Sequence, residues 1–446
     1  MGMNMSVCLG GGMFLVNTNL TMSSTVVNAN TTTGAGGGIA YQNNGATART
    51  LNLTNVTISN NTASNVNEQG AGGINHDNFG TGTSTLNITN SNVTGNTSLA
   101  PSGNNRGSAS GGLFNYSETG AANVNVTNST FRGNASTQGG GIFNRNDGDG
   151  AAVTLTRSTL SNNTANAGDG AGINNFSISF AGGSATVALT NSTVSTNTAS
   201  GLGGGIISFS PFGVAAVTLS YSTVAANTAG TGGGLANQSG STITILSSVI
   251  ADNTAAMGPD IAGTITSSNY NHVENIAGGT FAPAANDITA TDPQLGALAP
   301  NSGTTQSHLP AAGSPVVNTI PAGANGCGTT VTSDQRVFIR PQQALCEKGS
   351  VERLDPSASN ASITGRVLTA NGRGIVNAVV IISGGGLTSP MRVRTTSFGY
   401  YTFDWLPVGE TYVLQVASKR YTFQTPSVLV TLQDDLADAD FVADPL

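Results

Sequence analysis

The chain has 446 residues, 15 Lys and Arg against 22 Asp and Glu, a formal charge of −7, and only 8% charged residues. Without a basic block this balance excludes a phosphate-binding nucleic-acid partner, and a 38% hydrophobic content excludes charge-driven disorder. No apolar run approaches the roughly 18 residues of a membrane helix, which leaves a chain of small polar residues, 60 of them Gly.

Asparagine divides the chain. Residues 1–290 hold 42 Asn and the remainder only 6, while charge moves the opposite way. In the first part a unit recurs: aliphatic-Thr-aliphatic-Thr-Asn-Ser-Thr-aliphatic-x-x-Asn-Thr-Ala, then Gly-Gly-aliphatic. Its anchors run from Asn30, Asn61 and Asn96 through Asn134, Asn163 and Asn197 to Asn227 and Asn253. Seven steps cover the 223 residues from Asn30 to Asn253, 32 per repeat, which is a solenoid period. Within each unit aliphatics alternate with Thr or Ser, as in Val153-Thr-Leu155-Thr, and so line one face of short strands. Anchor Asn and the glycines fit corners that need positive φ, and stacked Asn side chains fit amide ladders.

The unit Phe131-Arg-Gly-Asn134 followed by Gly139-Gly-Gly-Ile142 resembles the repeats of polymorphic outer-membrane proteins. More broadly it is similar to the right-handed parallel β-helix of bacterial secreted proteins. The resemblance implies about eight to nine coils over residues 1–265. From each aliphatic to the next Asn the count varies only from 18 to 24, but from Asn to the following aliphatic it runs from 8 to 17. Strand register forces such excess outward, so the segments Ala63–Ala71 and Thr97–Ser110 are expected to form a ligand edge around Glu68, Gln69, Asn104, Asn105 and Arg106.

Residues 266–356 lose the repeat. The order Asp292-Pro, His308, Gly313-Ser-Pro, Cys327, Asp334-Gln-Arg336, Arg340-Pro341, Cys346 and Gly349-Ser-Val-Glu352 resembles the choice-of-anchor Q domain. It is expected to cap the last coil, which would otherwise expose strand edges and core. Cys327 and Cys346 are expected to form a disulfide, since no further ligands support a zinc site. His308, Asp334 and Arg336 are expected to pair structurally. Residues 357–446 alternate regularly between turn signals, among them Asn371-Gly372. Gly365-Arg-Val367, Ser397-Phe-Gly399-Tyr-Tyr-Thr-Phe403 and Leu406-Pro-Val-Gly409 resemble the carboxypeptidase regulatory-like domain, which implies a transthyretin-like β-sandwich. Trp405 and Tyr401 are expected in or beside its core.

The array has no Lys, and its acidic residues, including Asp252 and Glu274, read as isolated. Asp147 and Asp149, with Asp169 one repeat on, form a weak Ca2+ candidate against the alternative of an acidic turn. No other cofactor is expected. The all-β reading is thus a parallel β-helix, a cap and a sandwich in an extracellular or cell-surface protein. Its role is expected to be structural or adhesive, without catalysis, towards a glycan or protein. The alternative is a carbohydrate-active lyase or hydrolase, for which carboxylates must converge. Gly10-Gly-Gly-Met13 already shows the second half of a repeat, and residues 1–9 lack the features of a signal peptide, so a precursor with an export signal is expected.

Overall fold

A computed structural model describes residues 10–64, 70–99, 109–180, 182–342, 344–353 and 360–445. It separates into two compact units, residues 1–353 and 354–446.

In the first unit each repeat contributes one strand to each face of a parallel β-helix. The strands stack into an 18-stranded sheet, a 10-stranded sheet and an 8-stranded sheet. The 18-stranded sheet contains two runs that merge in Ile261–Ser267, which pairs with both Leu235–Asn237 and Ser241–Leu246. Pairing keeps like with like: Ile74 lies between Ile39 and Leu113, and Leu86 between Leu51 and Val124. These aliphatics fill one continuous core, as the period-two pattern requires.

Two polar ladders hold the coils in register. The Asn96 N–H and its Nδ2 amide both donate to Oδ1 of Asn134 at 3.0 Å. Asn134 does the same to Asn163, and each Nδ2 also reaches a carbonyl, here that of Val93. The series runs from Asn30 to Asn253 and ends on a carboxylate, Asp260 Oδ1, 2.9 Å from Asn253 Nδ2. At the neighbouring corner the Ser91 N–H donates to Ser129 Oγ, and the Ser129 N–H to Ser158 Oγ. The anchors are therefore ladder residues and not the strained corners. Positive φ falls on the residue before them, such as Asn60, Gly95 and Asn162. The glycines before each aliphatic sit where coils touch: a Cβ on Gly73 would lie 2.4 Å from the Gly112 carbonyl oxygen.

The segment expected to cap the end has two parts. His272–Val273, Gly279–Phe281 and Ile288–Thr289 extend the sheets as further coil. Beyond Asp292 the chain runs back as a strap along the outer flank of the 10-stranded sheet. Gln335 spans two coils there: Nε2 donates to Thr159 Oγ1 at 2.9 Å, and Oε1 accepts from Thr193 Oγ1 at 2.6 Å. The Ser350 N–H donates to Thr223 Oγ1, and the Gly349 N–H to the Ser247 carbonyl. Strands Thr159–Ser161, Thr193–Ser195 and Thr223–Ala225 are consequently buried on both faces, whereas the outer positions of Thr57–Ser59 are not. Cys327 and Cys346 are bridged, with Cα atoms 6.1 Å apart, within the reach of a disulfide.

The second unit has its own core around Ile363, Val380, Phe403, Tyr412 and Leu414. A three-stranded and a four-stranded sheet enclose it. Tyr401 is buried as expected, but Trp405 is 82% exposed at φ 61°. The register explains the difference: Ile363 faces Phe403 while Ala361 faces Leu406, so two residues of the second strand oppose Ser362. The bulge turns Trp405 outward and keeps Leu406 in the core.

Candidate functional site

Stacking brings together carboxylates that are distant in sequence. Asp252 occupies a corner at φ 58°, one residue before an anchor. Glu274 follows the next coil's strand His272–Val273, and Asp292 follows Ile288–Thr289 in the coil after that. One carboxylate oxygen from each of these three side chains lies within 4.8 Å of the other two, and the Asp252 N–H donates to Glu274 Oε2 at 2.8 Å. They line a cleft of about 600 Å³ with Asp260, Asn253, Asn275 and Thr291. This corrects the reading of Asp252 and Glu274 as isolated, because consecutive coils return to the same edge at different chain spacings.

Burial raises the Asp252 carboxyl above the usual carboxylate range, and Glu274 and Asp292 raise it further. Asp260 is pushed up to about 6, chiefly by burial and against the hydrogen bonds it accepts from Asn253 and Asn275. Such a cleft can retain a proton near neutrality or offer hard oxygen ligands.

The earlier acidic candidates are used differently. Both Asp147 oxygens take the Arg145 guanidinium, at 2.8 Å from Nε and 2.7 Å from Nη2, and Oδ2 also accepts from the Tyr116 hydroxyl. The guanidinium lies between the rings of Tyr116 and Phe176, at 5.6 and 5.8 Å. Asp149 is exposed. Asp169 Oδ1 accepts from the Leu202 N–H at 2.6 Å. Among the described residues, Asp147 and Asp149 do not join a convergent carboxylate group, because Asp147 serves its own arginine. Glu68, Gln69, Asn104, Asn105 and Arg106 lie outside the described residues.

In the strap, Asp334 and Arg336 form a buried ion pair at 2.8 Å. His308 Nε2 lies 2.8 Å from Ser195 Oγ, and Nδ1 lies 2.7 Å from the Gly296 carbonyl. All three side chains fasten the strap.

A feature missed in the sequence is an aromatic pair on adjacent coils. Phe180 and Phe212 follow the equivalent strands Ile173–Ser177 and Ile206–Phe209. Their rings stack at 5.1 Å and 27°, yet they are 82% and 64% exposed. Their sequence signal is a Phe beyond the alternating run, next to turn residues.

Residues 362–443 match the carboxypeptidase regulatory-like domain. No curated protein matches the chain.

Proposed function

We propose that the chain is an extracellular or cell-surface protein whose β-helix presents a binding surface for glycan or protein, in a structural or adhesive role without catalysis. The Phe180–Phe212 pair carries this reading. Two large rings held in solvent by a rigid scaffold are costly unless something covers them, and flat aromatic faces suit sugar rings and apolar side chains. The disulfide supports an oxidising compartment. The resemblance of the repeats to polymorphic outer-membrane proteins, and of the strap sequence to choice-of-anchor Q, supports a surface location. A glycan array with the intact chain and with Phe180→Ala/Phe212→Ala tests the proposal. Binding that is lost in the double variant, with reducing ends unchanged on the positive sugars, supports it; binding unchanged in that variant removes it.

One observation favours a carbohydrate-active enzyme as a second reading: Asp252, Glu274 and Asp292 converge, with one carboxyl raised by burial and by its neighbours. Paired carboxylates of unlike proton affinity are what glycoside hydrolysis uses. New reducing ends, released by the intact chain and abolished by Asp252→Asn and Glu274→Gln, would establish it.

A further inference from the structure

At its C-terminal end the strap buries more acid than base. Glu347, Glu352 and Arg340 are 0%, 0% and 1% exposed. The guanidinium is fully committed. Arg340 Nη1 donates to Glu352 Oε1 at 2.6 Å and to the Glu347 carbonyl at 2.9 Å, and Nη2 donates to the Gly349 carbonyl at 2.7 Å. Its plane lies over the Tyr221 ring of a coil. Glu352 also accepts from the Glu347 and Gln342 N–H groups. Neither side-chain oxygen of Glu347 accepts a hydrogen bond among the described residues. The neighbouring cation is engaged elsewhere, since Lys348 Nζ donates to the Asn271 and Asn286 carbonyls at 3.3 and 2.6 Å. A second ionised carboxylate here would be a buried charge with no counter-ion of its own, which costs more than retaining a proton. Burial, and then the hydrogen bond and charge of Glu352, push the Glu347 carboxyl up to about 10.

Opening the strap reverses this. In water Glu347 returns to its ordinary 4.5 and gives up the proton. A value raised in the closed state therefore makes that state lose ground as pH rises, by up to about tenfold per pH unit. Other buried groups set the window. His308 on the strap, and His272 against the Thr291 carbonyl, are both lowered by burial from 6.5. They take up protons on opening only below that pH. Lys348 is lowered by burial from 10.5 to about 8, so between those values it takes up a proton on opening and offsets Glu347. Tyr221 is raised by burial from 10 and lies above the window, while Asp260, at about 6, belongs to a coil and lies below it. Between pH about 6.5 and about 8 the proton of Glu347 acts alone.

We propose that Glu347 is a proton-held latch: as a neutral acid beside the Arg340–Glu352 pair it keeps the strap on the β-helix, and loss of its proton lets the strap lift. The inference does not depend on what the β-helix binds. It is tested with the full chain by hydrogen exchange at the amides of Lys348, Gly349 and Ser350, which donate to the Val316 and Ser247 carbonyls and to Thr223 Oγ1. Rates are corrected for the base catalysis of exchange itself. Protection at these amides should fall about tenfold from pH about 7 to about 8, while that of Thr57–Ser59, outside the strap, stays level. In Glu347→Gln, which keeps a neutral group of similar size, the fall should vanish. Should that variant fail to fold, the unaltered chain with glutamate isotope-labelled at Cδ is read by NMR instead. Of its six glutamates, one should keep the shift of a protonated acid at pH about 7.5, far above the ordinary carboxylate range. Ionisation of all of them at that pH overturns the proposal. So does protection that is independent of pH in the unaltered chain, or a fall that persists in folded Glu347→Gln.

Discussion

Asn134 joins three coils at once. It accepts two hydrogen bonds from Asn96, donates to Asn163 Oδ1 and to the Val93 carbonyl, and is fully buried. Asn134→Ala strands several buried groups, each costing about 1–3 kcal/mol, so urea unfolding should show a loss of roughly 3 kcal/mol or more. Asn125→Ala removes an amide contact of the same kind, to Asn87 Oδ1, but on the exposed face. It should cost under about 0.5 kcal/mol. Asp260 ends the inner ladder as the one carboxylate, with a folded pKa of about 6 against 3.8 unfolded. A raised pKa means that the folded state holds the proton more tightly. Its stabilisation is complete below pH about 4 and is lost as pH rises through about 6, a swing of roughly 3 kcal/mol at most. Asp260→Asn keeps the Oδ1 acceptor and removes the charge, so it should flatten stability against pH between 4 and 6 in denaturant titrations. The Asn ladder was legible from spacing alone, but its acidic end was not. Asp260 replaces the expected Asn only seven residues after Asn253, a distance the 32-residue period does not suggest.

The strap shows what an element adds. Gln335 Nε2 also donates to Thr305 Oγ1 and the Gln306 carbonyl, so one side chain ties two parts of the strap to two coils. Arg340 pairs with Glu352 at 2.6 Å without solvent access, and its guanidinium lies 4.5 Å from the Tyr221 ring centroid. Gln335→Ala should raise amide exchange in Thr159–Ser161 and Thr193–Ser195 while leaving Thr57–Ser59, outside the strap, unchanged. The disulfide closes a 19-residue separation. Replacing both cysteines by Ser should cost about 3 kcal/mol in the chain-entropy estimate, and limited proteolysis should then cut the strap before the coils. No residue pattern marks the side on which the strap lies. Its partners are outward Thr residues that read, strand by strand, like any solvent-facing position.

At the scale of the molecule, two units have separate cores, and they divide after residue 353 rather than at the composition change after residue 290, because the more charged strap packs on the β-helix. Each core is closed by its own residues, so residues 360–446 expressed alone should give a cooperative thermal transition and β-rich circular dichroism. A fragment that stays unfolded would show that its core is incomplete without the first unit.

Period-two alternation and a 32-residue repeat determined the parallel β-helix, because strand stacking leaves only one way to bury such a pattern. Turn signals and their spacing likewise determined the terminal sandwich. Tertiary structure alone decided which side chains meet. Asp252, Glu274 and Asp292 converge because coils of unequal length return to one edge, Phe180 and Phe212 stack because their turns are equivalent, and Trp405 leaves the core because a bulge inserts one residue. Local periodicity fixes which way a strand faces, whereas proximity between coils depends on the length of every turn between them.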